Sequence, residues 1–225
     1  ELLRCGACGL VQLRHTVDPS RLYGGRYWYR SSQSAMMRDH LSRLAKEAAQ
    51  EVLLLPNDIA VDIGCNDGWL GAALGTQMVK VGYEPSHNLI QAARERGVIV
   101  FAQRFEPSSY WRLFSRGSRL VPAVAMFYDL DDPVGFLRGI SSIMEADGVL
   151  VLEFVDLLSV VEKTAFDQIG HEHIFYPSLR ATQTALREVG RRAFQVSQHG
   201  INGGSLSLLV DKSVRSVRES VVDQE

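Results

Sequence analysis

No stretch of the sequence approaches the ~20 consecutive apolar residues that a membrane-crossing helix requires, and no charged, then apolar, then small-residue signal opens it. That disfavours a membrane partner and gives the expectation of a soluble, cytoplasmic protein. A basic excess is also lacking, since 24 Lys and Arg stand against 26 Asp and Glu, for a net charge of -2 and a pI near 6.3. Nucleic-acid binders carry positive stripes or patches, so no nucleic-acid partner is expected. Cysteine is scarce, with three residues in all. An odd count with two of them spaced C-x-x-C suggests metal or redox chemistry more than a disulfide framework. Internal repeats and low-complexity tracts are missing too. What the sequence has in quantity is apolar residues, 46% of 225, enough to bury the core of one ordinary domain with an appendage.

The segment up to about residue 32 is rich in Arg, Gly and Tyr, lacks helical or strand periodicity, and reads as a small appended module. Over 33–55 the apolar positions Met37, Leu41, Leu44, Ala45, Ala48 and Val52 recur at steps of three and four, which predicts an amphipathic helix stopped by Pro56. Short apolar runs at 59–63, 79–83, 98–102, 121–127 and 149–154 then alternate with helical stretches opening at Trp69, Asn88, Pro107 and Pro133. That alternation predicts an α/β fold with a doubly wound parallel sheet. A helix over 178–189 precedes two more strand-like runs, 193–198 and 206–210, separated by Gly200, Gly203 and Gly204. A terminal antiparallel hairpin is expected there, making the sheet mixed.

The first of these strands runs into Val61-Asp62-Ile63-Gly64-Cys65-Asn66-Asp67-Gly68 and a helix. Glycines at a strand-to-helix turn let the backbone approach a ligand, and a nearby carboxylate can take its hydroxyl or charged groups. A dinucleotide fingerprint wants glycine where Asn66 stands, so nicotinamide and flavin are disfavoured. Twenty residues past Gly64, the second strand ends in Gly82-Tyr83-Glu84-Pro85-Ser86, where an acidic side chain can accept bonds from both hydroxyls of a ribose.

Three other groups stand out. Cys5 and Cys8 have the spacing of half a tetrahedral zinc site, with His15 a conceivable nitrogen donor, and could equally be a surface thiol pair. Tyr23, Tyr27, Trp28 and Tyr29 crowd together, either packing on the core or closing over a cation. His171-Glu172-His173 follows the fifth of the predicted parallel strands. If extended, it turns both imidazoles to one side, toward one metal or one reacting group; the bland alternative is two histidines hydrogen-bonded in a loop. The spacing does not supply the H-E-x-x-H of a zinc hydrolase.

The strings VDIGCNDG and GYEPS resemble the cofactor-binding motifs of class I S-adenosylmethionine-dependent methyltransferases. More narrowly, the chain is similar to the zinc-containing C-methyltransferases of nucleotide-linked deoxysugars, through CGACGL at Cys5, YRSS at Tyr29, FYDLDDP at Phe127, and the run from Glu162 through H-E-H to Gly203-Gly204-Ser205-Leu206. The resemblance implies a Rossmann-like class I methyltransferase sheet with S-adenosylmethionine as cofactor. Asp62, Gly64, Asn66 and Gly68 would line the cofactor, the first three against its methionine part. Glu84 would hold the ribose, flanked by Pro85 and Ser86, and Tyr27 and Tyr29 would form a lid. Cys5 and Cys8 would give half of a structural zinc shell. His173 would be the catalytic base, with Glu172 orienting the site and His171 a weaker candidate for either task.

The implied organisation is a remnant of the zinc and lid module at 1–32, a connecting helix at 33–56, the methyltransferase domain at 57–212, and at 213–225 the start of a linker to a missing C-terminal domain. The sequence starts at Glu1 and is expected to be a piece of a longer enzyme. In place of the Tyr common before H-E-H in the sugar enzymes, the chain has Gly170. Three readings result: C-methylation next to a keto group of a nucleotide-linked sugar in antibiotic or other secondary metabolism; methyl transfer to carbon, oxygen or nitrogen of a non-sugar or tethered small-molecule acceptor; and a cofactor-binding or assembly domain without turnover.

Overall fold

The computed structural model describes residues 1–23, 25 and 27–212. The expected linker at 213–225 lies outside the described residues. Among the described residues there are ten strands: β1 (Leu2–Arg4), β2 (Val11–Leu13), β3 (Ile59–Ile63), β4 (Val79–Tyr83), β5 (Ile99–Phe101), β6 (Ser118–Val124), β7 (Met144–Val155), β8 (Phe175–Tyr176), β9 (Arg192–His199) and β10 (Ser205–Asp211). The α-helices are α1 (Ser20–Tyr23), α2 (Ala35–Val52), α3 (Trp69–Ala73), α4 (His87–Glu95), α5 (Pro107–Trp111), α6 (Pro133–Ile143), α7 (Leu157–Glu162) and α8 (Leu179–Arg187). A seven-stranded sheet has the order β5-β4-β3-β6-β7-β10-β9, and β1, β2 and β8 form a separate three-stranded sheet. The pairs β3–β4, β3–β6 and β4–β5 are parallel, while β9–β10 is the expected antiparallel hairpin.

The chain forms two compact units. One comprises Pro19–Ala123 and Ser142–Leu150. In it, β3 is buried along its whole length, as a central parallel strand covered on both faces must be. Helix α2 buries all six apolar positions of the sequence pattern, and His40 with them. Its start is capped by the Ser34 side chain, which accepts from the Met37 N–H, and it ends at Leu53 in the left-handed conformation, before Pro56 is reached. Strand β7 begins at Met144, five residues ahead of its apolar run. Its polar opening lies so close to β6 that a Cβ on Gly148 would stand 2.8 Å from the Ser118 carbonyl oxygen.

The other unit comprises Glu1–Asp18, Val124–Ser141 and Val151–Glu225. The opening segment, without periodicity in the sequence, folds here as the short β1–β2 ribbon, with Leu2 opposite Leu13 and Arg4 opposite Val11. Ribbon strand β2 pairs on its other edge with β8, Val11 opposite Tyr176 and Gln12 opposite Phe175. The hairpin is fastened to β7 by Ser207, whose hydroxyl donates to the buried Glu153 carboxylate. The first of the boundaries between the units along the chain falls after Asp18, inside the 1–32 segment. Among the described residues no helix is long and apolar enough to cross a membrane.

Candidate functional site

The loop after β3 and the loop after β4 are hydrogen-bonded to each other in the first unit. Gly64, Asn66 and Gly68 all take positive φ, at 74°, 50° and 79°, a conformation that glycine and asparagine tolerate best. The loop is tied to the end of β4, because Gly64 N–H and Cys65 N–H both donate to the Tyr83 carbonyl, at 2.9 and 3.1 Å. At Gly68 packing adds to the demand for glycine, since a Cβ there would lie 2.8 Å from Ala93 Cα of α4. Gly82 is similar, with Cys65 Sγ 2.5 Å from where its Cβ would be. Burial pushes the Cys65 thiol up, so it behaves as a small packing residue.

Two carboxyls meet here. Glu84, at the end of β4, accepts from Asn66 N–H at 2.9 Å on one oxygen and from Ser86 N–H at 2.7 Å on the other. Burial pushes its pKa up against those two bonds. Asp62, buried in β3, is pushed up to about 7, first by desolvation and then by the negative charge of Glu84. Beside them Asp67, 1% exposed, has one carboxylate oxygen bonded to Ser32 N–H at 3.3 Å and the other buried without a hydrogen bond. Three buried carboxyls on these loops suit a ligand that brings hydroxyl and ammonium donors. An adenosyl amino acid has both, so the residues fit S-adenosylmethionine.

The aromatic segment is strapped to the same loops. Tyr27 is gripped at both backbone groups by the Asn88 carboxamide, N–H to Oδ1 at 3.1 Å and Nδ2 to carbonyl at 2.9 Å. Asn66 repeats the device, donating to the Tyr29 carbonyl at 3.2 Å and accepting from Ser31 N–H at 3.0 Å. Ser86 donates to the Tyr23 carbonyl, and Arg30 to the Asn88 carbonyl. The Asn66 side chain, expected against the methionine part of the cofactor, is thus engaged with the strap. Tyr27 and Tyr29 are half-buried, and the Tyr29 phenol is pushed up by burial. Pro85 is half-buried between its two engaged neighbours. Asn88 was legible in the sequence only as a helix start.

The H-E-H segment lies in the second unit. It bends at His171 and Glu172 instead of running extended, so the geometry that would turn both imidazoles to one side is not met. His171 is exposed, Glu172 half-buried, and His173 half-buried against the Tyr128 ring, centroids 4.3 Å apart. His173 Nδ1 lies 3.1 Å from the Gln168 carbonyl. A carbonyl only accepts, so Nδ1 carries the hydrogen of the neutral ring and the lone pair is on Nε2. Burial lowers the His173 pKa, opposed by the Gln168 carbonyl and the charge of Glu172. Gly170 is open, with nothing within 4 Å of an added Cβ. Tyr128, also missed as a partner, stands in the FYDLDDP stretch.

Cys5 and Cys8 occupy the tip of the β1–β2 ribbon. Cys5 N–H donates to the Leu10 carbonyl at 2.8 Å, Gly9 N–H returns to the Cys5 carbonyl at 3.0 Å, and Gly9 takes φ 77°. Backbone N–H groups of Cys8 and Ala7, followed by the Cys8 thiol, draw the Cys5 pKa below that of an ordinary thiol. A turn that favours a thiolate fits half of a zinc shell.

Residues 29–196 match a family model described as a methyltransferase domain. The C-methyltransferase NovU of Streptomyces niveus is 29% identical over 211 residues, covering 92% of this chain and 50% of that protein. The chain therefore spans about half the length of that curated relative. Among solved structures, a possible histamine N-methyltransferase of Thermotoga maritima superposes with a TM-score of 0.55 at 20% identity, covering 77% of this chain and 92% of that one. Magnesium protoporphyrin IX methyltransferase of Synechocystis, with S-adenosylhomocysteine bound, gives 0.59 at 15% identity, covering 86% and 92%. With the Rossmann-like sheet that these S-adenosylmethionine-dependent enzymes share, the chain belongs to the methyltransferase-domain family.

Proposed function

We propose that the protein transfers a methyl group from S-adenosylmethionine to a carbon next to a keto group of a small acceptor, of the class of nucleotide-linked deoxysugars. The observation that carries this reading is His173, a half-buried imidazole whose Nδ1 is engaged by a carbonyl and whose Nε2 is the basic atom. Removal of a proton from carbon needs such a base, neutral at working pH. Similarity to a C-methyltransferase supports carbon as the acceptor atom.

The cofactor supplies an electrophilic methyl group on a sulfonium. Glu84 would accept from the ribose hydroxyls, and Asp62, Gly64 and Asp67 would surround the methionine end, with the backbone of Asn66 rather than its amide facing it. Pro85 and Ser86 would flank the ribose, and Tyr27 and Tyr29 would cover the cofactor and exclude water. His173 Nε2 would take the proton as the C–H bond breaks, leaving an enolate carbon to accept the methyl group, with S-adenosylhomocysteine as the leaving product. The charge of Glu172 holds the resulting imidazolium. Cys5 and Cys8 would hold a structural zinc with two further ligands from outside this chain.

Gly170 favours a second reading of the acceptor, a bulkier or tethered ketone using the open space there. The test is a product screen in the full-length enzyme, with keto-sugar nucleotides and tethered ketones offered in parallel and solvent deuterium exchange followed at the α carbon. His173→Gln should retain cofactor affinity and lose about 10²-fold or more in turnover and exchange. Exchange at the parent rate in that variant overturns the base assignment.

A further inference from the structure

The H-E-H segment is held from two directions by elements the reading above gives no part in the chemistry. On one side is the cysteine ribbon. Leu13 N–H of β2 donates to the Ile174 carbonyl at 2.8 Å, one residue from His173, and the pairing continues through Gln12 opposite Phe175 and Val11 opposite Tyr176. The other side is Tyr128, whose carbonyl accepts from Ile174 N–H at 2.9 Å while its ring lies against the imidazole. Both backbone groups of Ile174 are therefore fixed, one by each neighbour. Phe127 extends the grip, its ring edge-on to that of Phe175 at 5.4 Å. The turn carrying Tyr128 follows Ala125, which takes φ 53° and donates its N–H to the Glu153 carbonyl at 3.0 Å. A non-glycine residue in that region is strained, and surroundings that hold it there define where the turn sits.

Elsewhere the segment is held chiefly by the bond from His173 Nδ1 to the Gln168 carbonyl. It has no regular structure from Ile169 to Ile174, and nothing lies within 4 Å of where a Cβ on Gly170 would stand. A loop of this kind does not set an imidazole to within a few tenths of an ångström by itself. A base must be held to about that tolerance to remove a proton from carbon.

We infer that the cysteine ribbon and Tyr128 are positioning elements for His173: β2 holds the chain beside the base, and the Tyr128 ring fixes the plane of its imidazole so that Nδ1 stays on the Gln168 carbonyl that sets its tautomer. The inference rests on His173 as the base. It gives Cys5 and Cys8 a task, because the turn they close sets the register of β1 and β2, and hence of β8. The ribbon is thus tied to the reacting end of the protein.

The test uses the full-length enzyme with its metal. Leu13→Pro removes the N–H donated to Ile174, and Leu13→Ala keeps it; Tyr128→Leu removes the ring, and Tyr128→Phe keeps it. Each variant is followed by the nitrogen resonances of His173, which report its tautomer, by hydrogen exchange at the Ile174 amide, by S-adenosylhomocysteine affinity, and by turnover. Expected for Leu13→Pro and Tyr128→Leu are mixed tautomers, faster Ile174 exchange, turnover lower by about 10- to 100-fold and unchanged cofactor affinity. Leu13→Ala and Tyr128→Phe should behave as the parent. Chelation of the metal should reproduce the Leu13→Pro pattern in the resonances and the exchange. Parent-like tautomer and exchange in Leu13→Pro and Tyr128→Leu overturn the inference, and so does loss of cofactor affinity together with turnover, which marks a general folding role. If His173→Gln turns over normally while Leu13→Pro still frees the imidazole, the base assignment is what fails and the positioning stands.

Discussion

Asp62→Asn probes the electrostatics of the cofactor pocket without any acceptor. The Asp62 carboxyl is buried and pushed up to about 7, whereas in the unfolded chain it ionises near the ordinary value of about 3.9. Between those two points the folded state holds a proton that the unfolded state has released. Stability from this group is therefore complete below about pH 4, is lost as the pH rises toward 7, and is flat above. At about 1.36 kcal/mol per pH unit the full loss is about 4 kcal/mol, of which about 3 kcal/mol falls between about pH 4.5 and 8. Asparagine keeps the shape and cannot ionise, so its curve lacks this slope. Urea unfolding of both proteins without cofactor, over that range, should show the parent losing about 3 kcal/mol relative to the variant. In melting temperature this is roughly 6–12 °C for a chain of this size. Parallel curves would refute the claim that burial and Glu84 act on Asp62 together. The cofactor's ammonium favours the ionised carboxylate, so S-adenosylhomocysteine should bind the parent more tightly as the pH rises toward 7, and the variant with no such trend.

Three further outcomes follow from the geometry. Because burial lowers the His173 pKa and the base acts neutral, turnover should rise with pH through a midpoint below about 6.5, and Glu172→Gln, which removes a charge favouring the imidazolium, should move that midpoint lower still; a midpoint unmoved in that variant contradicts the pairing. Asn88→Ala should release Tyr27 from both of its bonds, seen as faster hydrogen exchange at the Tyr27 amide and a higher cofactor off-rate, and no change in either would remove the strap from the binding account. Zinc per chain, by elemental analysis, should be higher in a version extended upstream than in residues 1–225, and equal zinc in both would mean that the shell is completed within this chain.

Legibility in the sequence followed the physics of each element. Strands β3 and β4 were placed to the residue, because a central parallel strand reads as a short apolar run bounded by turn signals. The start of β7 was missed since Glu145, Ala146, Asp147 and Gly148 precede the apolar run that marks the strand, and only the β6 backbone beside them makes them strand. The β1–β2 ribbon has three-residue strands, too short for a period to register, and is held by partners distant in sequence. Around the site, residues whose type announces chemistry were visible: Asp62, Glu84, Cys5, Cys8 and His173. Asn88, Tyr128 and Gln168 were not, because each acts through an ordinary amide, ring or carbonyl that only the folded chain brings into place. Asn66 was visible for its position, and its side chain proved to bind the strap.

The central claim is that the loops after β3 and β4 bind S-adenosylmethionine with Glu84 on the ribose. Titration calorimetry with S-adenosylhomocysteine, on the parent and on Glu84→Ala, tests it most directly. The account predicts saturable one-site binding by the parent, none with NAD, and a loss of about 1.5–3 kcal/mol in the variant, from a pair of charge-assisted hydrogen bonds. Equal affinity in the two proteins, or binding of NAD in place of S-adenosylhomocysteine, would contradict it.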